Sequence, residues 1–251
     1  MKQLLLYYTC GLVLLLACCM QGSTEKNPIE LNEQGIQLIE SGKHEQAIQL
    51  FLKAIKSSNL SKETKGTIYR NIALTYNQLG KKDSAIHFST LAVKCFRKNG
   101  YDYLISAADV DLLRGKTAPA LTKLLKAQSI DAGDIAINNT LGLLYLGEYG
   151  DEFIDLDKAL VYNLEAFNIT GSRVMEEVLA LNYYKLGNYE KAELHYEHLH
   201  QNYPDVISYT LDMGLTKYHL KKKDEAEKLF DEVIAKDSSY RETIDIFKDD
   251  N

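Results

Sequence analysis

The stretch YKLGNYEKAELHYEHLH, Tyr184 to His200, holds three histidines and three glutamates in seventeen residues. Imidazole and carboxylate at such density are the raw material of a zinc site, so the spacing has to be tested first. At 100° per residue on a helix, Ala192, Tyr196 and Leu199 point one way, with His195 to one side and His200 to the other. Only His195 and His198 come close enough to share an ion, and two ligands without a third make a poor site. HExxH does not occur, and His195-Tyr196-Glu197-His198 is one residue short of HxxEH. The expectation is that these histidines are flank and surface residues, that no metal is bound, and that Glu193 lies on the outer face of the same helix.

Other stretches mimic chemistry and fail on spacing. Arg114-Gly115-Lys116-Thr117 looks like the end of a phosphate-binding loop, but Val110 stands where its first glycine belongs. Asp151, Glu152, Asp155 and Asp157 in GEYGDEFIDLD lack the order of a calcium-binding loop, and Asp157 reads as a helix N-cap. Neither GxSxG nor CxxC occurs. No catalytic residue and no cofactor are expected. The formal charge of −6 argues against nucleic acid as a partner.

The elements that would position these groups recur. After Asn27 a small residue, a Leu or aromatic three further on, a break, and then an alanine followed by a bulky residue return six times. The first copy is Gly35, Leu38, Gly42, Ala47, Phe51, Ala54; the fifth is Ala180, Tyr183, Gly187, Ala192, Tyr196, Leu199. The alanines after the break, Ala47, Ala85, Ala120, Ala159, Ala192 and Ala226, are spaced 38, 35, 39, 33 and 34 residues apart. A period in this range means stacked supersecondary units. The small residues let two helices approach, and the bulky ones fill the space between them. Ser89, Asp111 and Asn163 stand where bulky apolar residues are usual. Asn27-Pro28 offers a helix start, and Tyr240, Ile244 and Phe247 fall on one face of a closing helix.

This pattern resembles the tetratricopeptide repeat, and the longer fourth copy resembles the Sel1-like variant. The resemblance implies an all-α fold, a right-handed solenoid of about six helical hairpins over residues 28–237, with a capping helix and tail at 238–251. It also implies a concave surface lined mainly by the first helix of each hairpin. Arg70, Asn77, Gln78, Asp109, Asn139, Tyr184, Lys185, Tyr218 and His219 are expected there, with Tyr184 and Tyr218 as neighbours on successive helices. The implied function is non-enzymatic: a scaffold or adaptor holding a protein or peptide in that groove. Leu74 stands where chaperone-binding members carry a clamp asparagine, so a C-terminal Asp motif is not the expected ligand.

At the start, Lys2 precedes the apolar run Leu4–Ala17, too short to span a bilayer and right for a secretory signal. It ends in Leu15-Leu16-Ala17-Cys18, which resembles the bacterial lipobox. That implies cleavage after residue 17, lipidation of Cys18, a tether over 18–27 and attachment to the bacterial cell envelope, the outer membrane in particular. Cys95 is expected to be a small core residue. Seventeen tyrosines also leave open an envelope lipoprotein that captures a glycan or other small ligand, although no Trp is present.

Overall fold

The computed structural model describes residues 27–250. The signal, Cys18 and all of the tether but Asn27 lie outside the described residues. Thirteen α-helices and two short 3-10 turns account for the regular structure of the described residues, which hold no strand. The helices form two compact units that meet in the sequence at Phe96 and Arg97.

The first unit contains α1 (Pro28–Glu40), α2 (His44–Ala54), α3 (Lys62–Gln78) and α4 (Lys82–Cys95). Each helix packs on the next. Asn27 caps α1 by accepting from the Ile29 amide at 3.0 Å, with Pro28 in the first turn, as the sequence leads one to expect. Ser61 caps α3 by accepting from Thr64 N. Leu31, Ala47, Phe51, Ala54, Ile68 and Ile72 form the core. Gly35 is needed there: a Cβ on it would lie 2.4 Å from the Phe51 ring, so only glycine lets α1 and α2 close. Cys95 is half-buried, and burial pushes its thiol up from the ordinary range.

The second unit runs α5 (Tyr101–Leu113), α6 (Thr117–Gln128), α7 (Ile135–Leu146), α8 (Leu156–Thr170), α9 (Arg173–Lys185), α10 (Tyr189–Asn202), α11 (Ile207–His219), α12 (Lys223–Lys236) and α13 (Arg241–Asp250). These are four antiparallel hairpins and a cap, each hairpin packed on the next. Ala120, Ala159, Ala192 and Ala226 are fully buried. They are the contact points the repeat required. Ile244 is fully buried, and Tyr240 and Phe247 join it against Val233 and Phe230. The closing helix is therefore a cap over the last hairpin.

Two expectations of local structure change. The cap of α8 is Asp155, which accepts from Lys158 N at 3.0 Å; Asp157 already lies in the first turn. Asp111, an apparent misfit, is paired with Lys123 at 2.5 Å. Asn163 and Asn182 pair with each other: Asn163 Nδ2 donates to Asn182 Oδ1 at 2.9 Å and Asn182 Nδ2 donates to Leu156 O at 3.1 Å, while the buried Asn163 Oδ1 is left without a hydrogen-bond partner. Among the described residues no helix is long and apolar enough to cross a membrane.

Candidate functional site

The site is built by the first helices of the last two hairpins. α9 is capped by Ser172, whose hydroxyl accepts from Met175 N. Gly187, with φ of 74°, turns the chain into α10. α11 is nearly all buried, from Tyr209 to Tyr218. It can lie close to α12 because residue 214 is glycine: a Cβ there would come within 2.8 Å of the Phe230 ring.

One face of α11 carries Tyr209, Asp212, Thr216 and His219, at i, i+3, i+7 and i+10. The facing side of α9 carries Glu177 and Tyr184, two turns apart. Two hydrogen bonds join the helices. Tyr209 Oη donates to Glu177 Oε2 at 2.7 Å. Two turns on, Tyr184 Oη meets His219 Nε2 at 3.1 Å. The Tyr189 ring stacks on His219 with centroids 4.3 Å apart and meets Tyr184 edge-on at 5.5 Å. Tyr196 of α10 lies buried behind them.

Asp212 sits between those bonds, and its side chain has no hydrogen-bond or ion-pair partner among the described residues. Burial, with the nearby Glu177 charge second, pushes its carboxyl up to about 7. Burial, then Tyr189 and Asp212, push the Tyr184 phenol up to about 12. Tyr196 and Tyr209 are raised as well, burial first. His219 is lowered by burial and then by Lys221, so its imidazole favours the neutral form that a phenol can hydrogen-bond. The result is a polar, aromatic, acidic strip that no side chain of α9, α10 or α11 neutralises at Asp212.

Of the residues expected on the concave surface, Tyr184 and His219 are brought together. Tyr218 is not with them. It is 7% exposed and packs against Phe230 and against Phe247 of the cap, 5.3 Å away. The repeat register places it beside Tyr184, but α13 takes the position a seventh hairpin would occupy and turns that place into core. Lys185 is occupied by Leu146 O at 3.0 Å and by Glu148 at 3.5 Å. Asn139, on α7, is half-buried, and its side-chain oxygen lacks a hydrogen-bond partner. Asp109, half-buried on α5, helps to raise the Tyr149 phenol, though burial does more. Arg70 is half-buried and Asn77 and Gln78 are exposed, all on α3 in the first unit.

The opening histidines have partners of another kind. Glu176 is 5% exposed, and His195 Nδ1 and His198 Nδ1 reach its two oxygens at 3.1 and 2.9 Å. The His195 ring also stacks on Tyr183. His195 is therefore a half-buried tie between α9 and α10, whereas His198 remains open to water. His200 Nδ1 meets Thr210 Oγ1 at 3.0 Å. Among the described residues no three His, Cys, Asp or Glu are grouped to hold a metal ion. Glu193 is not an idle outer residue either: it binds Lys217 at 2.8 Å and Lys222 at 2.7 Å.

Sequence reasoning missed Glu177, Tyr189, Tyr209 and Asp212; Tyr196 is in the repeat core, where the sequence pattern places it. The signal for Asp212 was available: it is the one acidic residue in the helical stripe that runs from Tyr209 to His219.

The tetratricopeptide-repeat family model matches residues 179–205, from the middle of α9 through α10. The match thus covers most of the site's first hairpin. The hairpin stacking of the units agrees with it. A thermophilic tetratricopeptide-repeat protein from Thermus thermophilus is 18% identical, with 75% of this chain and 98% of that one covered, at a TM-score of 0.57. A chain of the APC/C hetero-tetramer Cut9–Hcn1 is 17% identical over 88% of this chain and 42% of its own, at 0.69. YrrB, a tetratricopeptide-repeat protein with an unusual peptide-binding site, is 15% identical over 79% and 97%, at 0.56. At these identities the likeness is one of fold. No curated protein matches the sequence.

Proposed function

We propose that the protein is a non-enzymatic adaptor, lipid-anchored through Cys18 at the bacterial cell envelope, that holds a protein or peptide in the groove between α9 and α11. The fold is one used for protein–protein interaction, and YrrB offers an example in which such a chain binds a peptide. The observation that carries the reading is the strip itself. Glu177, Asp212, Tyr184 and His219 place polar tips and aromatic faces side by side on successive first helices. Tyrosine suits such a surface because it offers a large area with few rotors and one polar end. The longer link between α7 and α8, which has Gly147 and Gly150 at positive φ, is read as Sel1-like.

Two measurements test the parts separately. Labelled palmitate is expected in the wild-type chain and not in Cys18→Ala; equal labelling removes the anchor from the reading. A photo-crosslinking residue at position 189 is expected to join the chain to a discrete envelope protein, while the same residue at Val161, exposed on α8, is not. The same products from both positions, or none from position 189, would remove the groove.

A further inference from the structure

Lysines accompany several acids and several tyrosine rings of the second unit. Asp111 has Lys123, Glu148 has Lys185, and Glu193 has Lys217 and Lys222. Tyr145, Tyr183 and Tyr218 each have a lysine ammonium 5.0 to 5.4 Å from the ring centre, from Lys158, Lys191 and Lys223. These neighbours are the chain's own way of balancing charge and covering aromatic faces with cations.

The strip between α9 and α11 breaks that habit. Asp212 is half-buried with no hydrogen-bond or ion-pair partner among the described residues, and the charge beside it is another carboxylate, Glu177, which accepts from Tyr209 one turn before Asp212 at 2.7 Å. The other titratable groups that bear on it are phenols, Tyr184 of α9 and Tyr196 of α10. Arg173 is near Tyr209, but its guanidinium lies over the Tyr203 ring, 5.1 Å from the centroid. The Tyr184 ring has aromatic neighbours, Tyr189 and His219, and no cation among the described contacts. A half-buried carboxyl with no counter-charge is costly to ionise. A cation from outside would relieve that cost, and a tyrosine face beside the acid adds to the attraction.

We propose that this strip takes a lysine or arginine side chain of the bound peptide, its cationic head set at the Asp212 and Glu177 carboxylates with the Tyr184 ring alongside. The inference rests on the groove reading above and adds the chemistry of its occupant. An acidic peptide would meet two like charges here. An apolar one would leave Asp212 unpaired. Cation binding favours the ionised carboxyl, so it is coupled to proton release from Asp212.

The test is a positional-scanning library of nonapeptides presented to the purified full chain. The wild type is expected to select Lys or Arg at one position over norleucine, glutamine and glutamate. For a selected peptide, exchanging that residue for glutamine is expected to weaken binding about tenfold or more, the scale of one charge-assisted contact. Asp212→Asn is expected to flatten the preference while other positions are still selected. Glu177→Gln, at a more exposed place, should reduce it and serves if the first variant does not fold. The wild-type preference should grow from pH 6 to pH 8, and that growth should vanish in Asp212→Asn. A merely structural Asp212 would move none of these. Selection of acidic or only apolar residues, or a cationic preference unchanged in both variants, overturns the inference and leaves the groove standing. No selected peptide at all overturns the groove and the inference together.

Discussion

Glu193 on α10 and Asp212 on α11 are two acids treated in opposite ways. Burial pushes Glu193 up, but hydrogen bonds from Lys217 and Lys222 outweigh it, and the carboxyl ends below its usual range. Lys217 in turn is held above its usual range: burial lowers it, and its bonds to Glu193 and Glu225 more than reverse that. Asp212 is half-buried without a cation and ends near 7. The difference separates a group that ties hairpins together from a group kept ready for something else. It also gives the two sites opposite pH signs. A carboxyl lowered by folding contributes stability above its unfolded pKa, which is lost as pH falls through its folded value. A raised carboxyl costs nothing below the unfolded value near 3.8, and its cost grows up to about pH 7 and then stays.

The harshest way to probe the contrast is to add a third acid with neither cation nor water. Ala192 is fully buried where α10 closes on α9, so Ala192→Asp is expected to cost several kcal/mol, about 4 or more. A denaturation midpoint matching the wild type would contradict the repeat register. Next, Lys217→Met turns the balanced acid into a poorly balanced one. Glu193 keeps Lys222, which is open to solvent, so the expected loss is roughly 2 kcal/mol by urea denaturation at pH 7. Unchanged stability would mean that the ion group does not hold α10 to α11.

Asp212→Asn should work in the other direction. Removing the unbalanced charge is expected to stabilise the chain by roughly 2 kcal/mol at pH 8, below the full linkage value because the side chain retains some water. The gain should shrink with acidification and be gone near pH 4. Denaturation at the two pH values checks it, and a loss at pH 8 would show a hidden partner for the carboxylate. The smallest effect belongs to His198→Ala. Its imidazole is open to water, and Glu176 keeps His195, so under about 1 kcal/mol is expected. A larger loss would make His198 a main support of Glu176.

The hairpins could be read from the sequence because they depend on local size. Gly35, Ala47, Ala120 and Ala192 are small where two helices touch, and Tyr240, Ile244 and Phe247 share one helical face whatever lies beneath. The site was harder, because it depends on what a neighbouring element does. Tyr218 repeats the register of Tyr184, yet only Tyr218 is covered by the cap. Asp111 and Asn163 looked like flaws until Lys123 and Asn182 were placed beside them, 12 and 19 residues on. Glu193 looked like an ordinary outward charge because its partners belong to the following hairpin. A periodic pattern tells which positions are equivalent and not which of them have been given a partner.

The Asn163–Asn182 contact bears on how this array can evolve. Asn163 Oδ1 occupies the space a Cβ on residue 142 would need, 1.8 Å away, while its amide is bound by Asn182 of the next hairpin. Three helices from two successive repeats thus share one polar key. A generic repeat spliced in after α8 would bring a hydrophobic side chain to a buried amide and leave it unsatisfied. Deleting α9 and α10 would do the same. At this joint the modules are not interchangeable, so gain or loss of whole repeats is expected to be tolerated elsewhere in the chain before it is tolerated here.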